Sequence, residues 1–519
     1  MGKLLPTYKK ALIDEMKDNM LSGSSDYYAF AADPVSSLTV PTLANDDYDT
    51  NYPVWSMLFG KRLTYNDVTL VIDNKQWEYG KVFDEYDNTS DTLHSNSNFY
   101  TVCIPGIVGG NYLIYKCIDN ANGAPSTIDP STIGDPQGKL SFQTSDGYVW
   151  RYVYSVSSAN YDKFATDDYI PVYTDQNIYA TASSYSGVEV VVITNPGSGY
   201  DAHHDGIVEA VINSTMIQIS SNASSFNEYY TKNGIYIYNT LETTSQLTYV
   251  KQYISNTTGN FVRVQDEGIN TDNIIEGETQ YKISPRVVFN TDADLGARPK
   301  AYTTINPYQN SIGSIIMLDI GTGITRANVS IQSNTLWGSG ATAYAIVPPP
   351  GGHGSDPASE LDAKGFCVAF RFSNNELTTI PDNINYSKIG LMKNPYAMDI
   401  NFEKSENRYQ TNTFNQLLKF DINNIYYTFN VEDVIYGESS GAKGIIAFVN
   451  SSAMYVAGDR SFEDGERITY ENGTPTLNIT ISAEGAIYTK DVRPLYVQNI
   501  NTVERSNTQT ESFKLIVEF

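Results

Sequence analysis

The chain has 519 residues, with 34 basic and 59 acidic side chains and a net charge of −25 at pH 7. That length allows a large core and more than one domain. The acidity disfavours direct nucleic-acid binding, because Lys9-Lys10 and Lys61-Arg62 are isolated basic doublets rather than a patch.

The opening stretch has no long uncharged apolar run. Asp14, Glu15 and Asp18 interrupt it, so no signal peptide is expected. No stretch approaches the roughly 18 apolar residues of a membrane span. A soluble protein made in a cytosol is the expectation. Thr7–Leu21 reads as an amphipathic helix with Ala11, Leu12, Met16 and Met20 on one stripe and Gly23 as its stop. Asp26–Ala32 reads as a strand, Val54–Leu58 as the start of a second helix and Val68–Ile72 as a strand. After Trp77 comes an acidic, Asn- and Ser-rich loop, Asp84–Asn98.

Tyr112–Ile118 (YLIYKCI) is apolar on both faces, as a central strand should be. Asp146-Gly147 is a turn dipeptide. Beyond it Tyr148, Trp150, Tyr152, Tyr154 and Val156 point one way, and Val149, Arg151, Val153 and Ser155 the other. Leu140 and Phe142 begin the matching arm. These three strands are read as the nucleus of a mostly β domain.

From about Ser183 the texture changes. Gly187–Ile212 runs as strand, turn, strand, and Ser311–Val347 does the same. The turns Gly197-Ser-Gly199-Tyr200 and Gly321-Thr-Gly323-Ile324 occupy equivalent places, which reads as a weak internal duplication. Short strands such as Gly234–Tyr238 and Tyr281–Phe289 suggest sandwich or barrel modules. Pro348–Gly354 is punctuation that neither helix nor sheet crosses. Phe366–Phe372 and Ile389–Met392 resume strand patterns, Phe429–Glu471 is another β unit, and Phe513–Phe519 is a closing strand. The 40 tyrosines, with Asn, Ser and Thr in place of Lys and Glu, are the composition of a strand-rich assembly protein.

Motifs that resemble chemistry fail on context. Gly437-Glu-Ser439-Ser-Gly441 fits the nucleophile elbow. However, Ala442–Val449 reads as a strand where a helix is needed, and no histidine follows His353. Gly134–Leu140 is one residue short of a phosphate loop and has Leu140 where Ser or Thr should hold magnesium. Gly338–Ala343 fits a loose dinucleotide fingerprint but runs into a proline-terminated β segment. His203-His204-Asp205 could ligate a metal, yet adjacent strand residues face opposite ways, and only His94 and His353 remain to help. Cys103, Cys117 and Cys367 lie far apart with no CxxC pair, which argues against a disulfide framework and a zinc site. They read as core thiols in a reducing compartment. No catalytic, cofactor-binding or metal residue is assigned, and no cofactor or enzymatic activity is expected.

Several colinear segments resemble the small wedge subunit of the T-even-type contractile-tail phage baseplate, the gene product 8 family. At the C-terminus these are Gly485-Ala-Ile487-Tyr488, Arg493-Pro494, Gln509-Thr510-Glu511 and Phe513–Phe519. Upstream they are Tyr112–Asp119 and Asp146–Trp150 with Tyr152. Tyr169-Ile170, Pro381, Ile389 and Asn394-Pro395 fall in the family's order. The resemblance spans about 1–180, 365–412 and 485–519. It implies a virion structural protein assembled in the host cytoplasm and placed in the tail baseplate of a myovirus. It also implies a homodimer among other wedge subunits, with no nucleic acid and no membrane as partner.

The expected fold is mostly β: a layered β-sandwich core with short helices in loops, plus inserted sandwich or barrel modules. The expected boundaries are 1–180 core, 181–350 inserted β modules, 351–412 core, 413–484 inserted small β module and 485–519 core C-terminal strands. Leu417–Phe420 and Ile487-Tyr488 are read as core strands that the second insertion interrupts. The alternative function is a tail-fibre or adhesin protein that binds glycans through Tyr and Trp.

Overall fold

In the computed structural model the chain is mostly β, built from several sheets with short helices between them. The structure describes residues 5–35, 48–90, 92–132, 141–200, 204–239, 245–265, 268–306, 309–333, 337–373, 383–399, 401–422, 429–470, 476–506 and 508–518. The chain divides into two compact units, Met1–Val71 with Lys364–Phe519, and Ile72–Ala363.

In the first unit, Tyr27–Ala32 (YYAFAA) carries no charge on either face and is buried throughout. It sits in the middle of a five-stranded antiparallel sheet, between Met57–Arg62 and Ile384–Lys393, with Thr413–Asn415 and Pro494–Arg505 at the edges. Glycines make room for rings across this sheet. A Cβ on Gly390 would collide with the Phe30 ring, and one on Gly60 with the Phe414 ring.

A second layer pairs Gly365–Ser373 with Thr510–Glu518 over its full length and with Val68–Val71 on its other side. The layers meet through aromatic side chains. The Phe59 ring lies 4.9 Å from Phe372, edge to face, and the Tyr386 ring lies 6.2 Å from Phe513. A buried ion pair, Arg505 Nη1 to Glu511 Oε2 at 2.6 Å, also joins them. This is the expected layered sandwich.

Residues 418–483 form a seven-stranded sheet that begins with Thr476–Asn478 at one edge and ends with Thr480–Ala483 at the other. The chain steps from one edge to the other through Ile479, so the sheet curls into a nearly closed barrel. Phe420, Ile435, Ile446, Met454, Val456 and Ile468 fill it. Leu418–Asp421 pairs with Ala453–Gly458 and Thr480–Ala483 inside this sheet. The reading of Leu417–Phe420 as an interrupted core strand is therefore corrected: its partners lie within the same stretch, which single-strand patterning cannot reveal.

Next to this stretch, the buried Gln416 side chain clasps the chain on its return. Its Nε2 donates to Ile487 O at 2.7 Å, and its Oε1 accepts from Ile487 N at 2.9 Å.

In the second unit, Tyr112–Asp119 lies between Tyr100–Cys103 and Val149–Val156, and Phe142–Gln143 flanks the latter. The expected three-strand nucleus is present with one strand added. Burial pushes the aromatic row inward, and each hydroxyl then needs an acceptor. Tyr148 donates to Ala124 O at 2.5 Å, Tyr152 to Asp175 Oδ2 at 3.0 Å and Tyr154 to Pro171 O at 3.1 Å.

Further along, six strands between Asp205 and Ile283 close a barrel filled by Val208, Ile217, Ile235, Tyr253, Val262 and Ile283, among others. Val191–Ser198 enters before the barrel and pairs with Ser339–Ala345, which leaves after it. The turns of the suspected duplication therefore do not close equivalent hairpins. Val191–Ser198 and Asp205–Asn213 each pair elsewhere.

Helix detail departs from expectation. Pro6 at the first turn starts the N-terminal helix, Pro6–Leu21, as its fixed φ favours. Its buried residues are Lys9 and Ile13, while Ala11 and Leu12 are exposed. Val54–Leu58 does not begin a helix: Tyr48–Trp55 is helical and Met57–Arg62 is a strand. Two short helices, Ser158–Phe164 and Gln176–Ala182, escape hydrophobic periodicity. The Ser157 and Asp175 side chains cap them.

Replacing 418–483 by a short Gly/Ser linker should leave the sandwich folded, because Gln416 already brings the two ends together and loop closure costs little. Gln416→Ala should cost about 2–3 kcal/mol through the two stranded Ile487 groups. Circular dichroism and thermal melting read both. Loss of cooperative unfolding in the linker variant would show that the stretch is integral to the sandwich.

Candidate functional site

The nucleophile elbow is a hairpin turn. Val434–Gly437 leads into it and Lys443–Val449, a strand, leads out. The Glu466 carboxylate anchors the turn, accepting from Ser439 N and Ser440 N at 3.1 Å and from Ser440 Oγ at 2.9 Å. Ser440 is thus tied to a carboxylate that also holds backbone, and among the described residues no imidazole is hydrogen-bonded to Ser439.

Gly134–Leu140 and His203 lie outside the described residues. Gly338 leads directly into the Ser339–Ala345 strand, so no helix N-terminus follows the loose fingerprint. His204 is a packing residue: its ring lies 4.0 Å from Trp337 in a stack, and its Nδ1 is 2.9 Å from the Tyr230 hydroxyl. Asp205 opens the first barrel strand. Among the described residues no three His, Cys, Asp or Glu side chains are grouped to hold a metal ion. Cys103, Cys117 and Cys367 are buried free thiols, and burial pushes the first two well above the ordinary thiol range.

The unexpected cluster lies in the second unit, around Lys116. Its strand position among apolar neighbours points the amine into the interior, where it is fully buried. Lys116 Nζ pairs with Glu360 Oε1 and sits 2.6 Å from His353 Nδ1. Glu360 Oε2 accepts from Gly354 N at 2.7 Å. The Tyr86 ring caps the ammonium, with its centroid 3.7 Å away. The Asp356 side chain accepts from Ser359 N and so helps set the short Pro357–Glu360 helix that presents the carboxylate. Directly opposite Lys116 in the same sheet, Arg151 is also buried and donates from Nη1 to Glu189 Oε1 at 2.7 Å.

The charges in this cluster are fixed by burial and by one another. Burial lowers Lys116 and Glu360 pulls it back up, leaving about 8. Burial pushes Glu360 upward, but the Lys116 charge and hydrogen bonds outweigh it and hold the carboxyl at about 2. Burial, then the Lys116 charge, brings His353 down to about 4. At neutral pH the ammonium and carboxylate are both charged, and the neutral imidazole accepts at Nδ1. Such an arrangement locks the Tyr112–Asp119 strand to the segment 353–360. Its amine is hidden and protonated, so it is poorly placed to attack a substrate. The sequence did carry a signal: a lysine inside YLIYKCI and an arginine inside VWRYVYSV each require a buried partner.

At the far end of the same strand lies an open cleft of about 550 Å³, lined by Asp119, Val149, Glu189, Ile193, Ile315 and Met317 among others. Glu189 is already engaged there, accepting from Ser141 N at 2.9 Å and Ser141 Oγ at 2.6 Å as well as from Arg151. The aliphatic side chains share the cleft with polar ones, Asp119, Asn122, Gln143, Glu189 and Ser314.

Comparison with known protein families finds no matching family, and comparison with curated proteins finds no match either.

Glu360→Gln should destabilise the second unit by about 3–5 kcal/mol, because it strands a buried ammonium. Acid should act through His353. Its folded value of about 4 lies below the 6.5 of the free side chain, so the unfolded chain takes up the proton first as pH falls. Stability is therefore present above pH 6.5 and is lost progressively toward pH 4, by about 3 kcal/mol in all. Below pH 4.5 Glu360 adds to the loss. Melting curves of wild type and His353→Gln across this range check it. The variant should lose the slope between pH 6.5 and 4.5, and an unchanged slope would rule out the imidazole as its source.

Proposed function

We propose that the chain is a structural subunit of a contractile phage tail baseplate wedge. It would hold neighbouring wedge proteins in one arrangement and let those contacts re-register when the baseplate opens on host attachment. The partners are other wedge subunits and a second copy of the chain.

One observation carries the reading. The segments that resemble the wedge subunit pair with one another: Tyr112–Asp119 with Val149–Val156, Gly365–Ser373 with Thr510–Glu518, and Ile384–Lys393 with Pro494–Arg505. The stretches outside the resemblance hold the closed barrel and the seven-stranded sheet. A shared framework with additional modules is what an enlarged relative would have. Buried ion pairs and ring contacts that lock strands together suit a part that transmits force rather than one that turns over substrate.

The test is co-expression with the structural proteins encoded beside its gene, followed by size-exclusion chromatography and immunogold labelling of assembled particles. A stable complex with at least one neighbour and label at the tail base are expected. Label along the fibres together with glycan-array binding would favour the adhesin reading and overturn this one.

A further inference from the structure

The Lys116 cluster holds more than an ion pair requires. The Lys116, Glu360 and His353 side chains are each at most 1% exposed. No outside substrate reaches this amine, but an electrophilic carbon lies beside it. Lys116 Nζ touches Glu360 Oε1, so the carboxyl carbon Cδ is one C–O bond beyond an atom already in contact. His353 Nδ1 is 2.6 Å from Nζ and 3.4 Å from the same Oε1, so the imidazole reaches both the amine and that oxygen. The other carboxyl oxygen, Oε2, accepts from Gly354 N at 2.7 Å. The Tyr86 ring closes the site over Nζ, with its centroid 3.7 Å away. Burial brings the amine down even against the pull of Glu360, and the Arg151 charge directly opposite acts in the same direction, leaving about 8. A neutral, nucleophilic amine is therefore accessible near pH 7.

We propose that Lys116 and Glu360 condense into an intramolecular amide, an isopeptide cross-link between the Tyr112–Asp119 strand and the short Pro357–Glu360 helix. Nζ attacks Cδ, and the N–C bond forms. Gly354 N–H stabilises the charge that builds on Oε2 in the tetrahedral intermediate, as an oxyanion donor does. His353 takes a proton from Nζ and passes it to Oε1. The Cδ–Oε1 bond then breaks. Ammonium and carboxylate become amide and water. Of the three ammonium protons, one stays on the amide nitrogen and two leave on Oε1 as water, so no oxidant, reductant or activating group is needed. In open water such a condensation runs backward. Here the partners are held in contact, which is worth an effective concentration of roughly 10⁵–10⁸ M, and the closed site excludes the water that would reverse it. The cross-link would span residues 116–360 and so enclose the closed barrel between Asp205 and Ile283. A pull along the chain would then bypass everything between the two joined residues. The inference does not depend on the baseplate reading.

The intact mass of the full-length protein, measured after denaturation, tests it. Each chain is compared with the mass of its own sequence, and Lys116→Met controls for losses at any other residue. The wild type should fall short by about 18 Da, one water, and Lys116→Met by nothing. Proteolysis of the wild type should release one branched peptide that joins the segment around Lys116 to the segment around Glu360. In cell-free synthesis followed over time, His353→Gln should form the bond about 100-fold more slowly, the scale of general acid–base catalysis. Circular dichroism confirms that this variant is folded. A folded wild type of full sequence mass would overturn the inference by itself, even if no variant folds. So would the same deficit in Lys116→Met, or a branched peptide joined at other residues. Bond formation at the wild-type rate in folded His353→Gln would overturn the proton transfer through the imidazole.

Discussion

Each added module must leave a sheet and return to it at the same place, and this return is what the rest of the structure depends on. In the first unit the return is made by one side chain: Gln416 reads both polar groups of the Ile487 backbone like a neighbouring strand. In the second it is made by a strand pair, Val191–Ser198 beside Ser339–Ala345. Once the ends are fixed, the intervening chain can fold on its own contacts. The barrel and the seven-stranded sheet do so, each with its own apolar filling. Closing a long excursion adds little entropic cost beyond that of a short one, so large modules are tolerated at these points.

Polar groups inside the β layers provide the second constraint. A buried ion pair is weak evidence for net stability, because desolvation offsets most of the attraction. Breaking one is nevertheless costly, so it selects one packing against its alternatives. Lys116 with Glu360 fixes a strand to the segment after the Pro-Gly punctuation, and Arg505 with Glu511 fixes one sandwich layer to the other. Tyrosine serves the same end at lower electrostatic cost. Its ring fills the core, and its hydroxyl reaches a backbone carbonyl or a carboxylate, as Tyr154 and Tyr152 do. This explains why a chain so rich in tyrosine buries so many of them.

Much of the fold was legible because it rests on period-two patterning. The turn at Asp146-Gly147, the aromatic row after it, the two-faced Tyr112–Ile118 strand and the closing strand Phe513–Phe519 were all read from alternation and turn residues. What was not legible depends on distant pairing. That Leu418–Asp421 belongs with Ala453–Gly458, or that Val191–Ser198 belongs with Ser339–Ala345, cannot be read from either segment alone. Short helices were missed because one or two turns show no period and rest on their caps. The Lys116 cluster was missed for a different reason. His353 was weighed as a metal ligand, whereas its role follows from a lysine and a glutamate far away in sequence. A charged residue at an interior strand position was the available clue.

The central claim is that the chain is a β framework carrying modules that fold on their own contacts. Native-state hydrogen exchange followed by mass spectrometry tests it most directly. The account predicts that residues 205–283 and 418–483 each exchange as a cooperative group with its own free energy of opening, distinct from that of the paired strands around Tyr27–Ala32 and Tyr112–Asp119. A single opening free energy shared by all of these segments would contradict it.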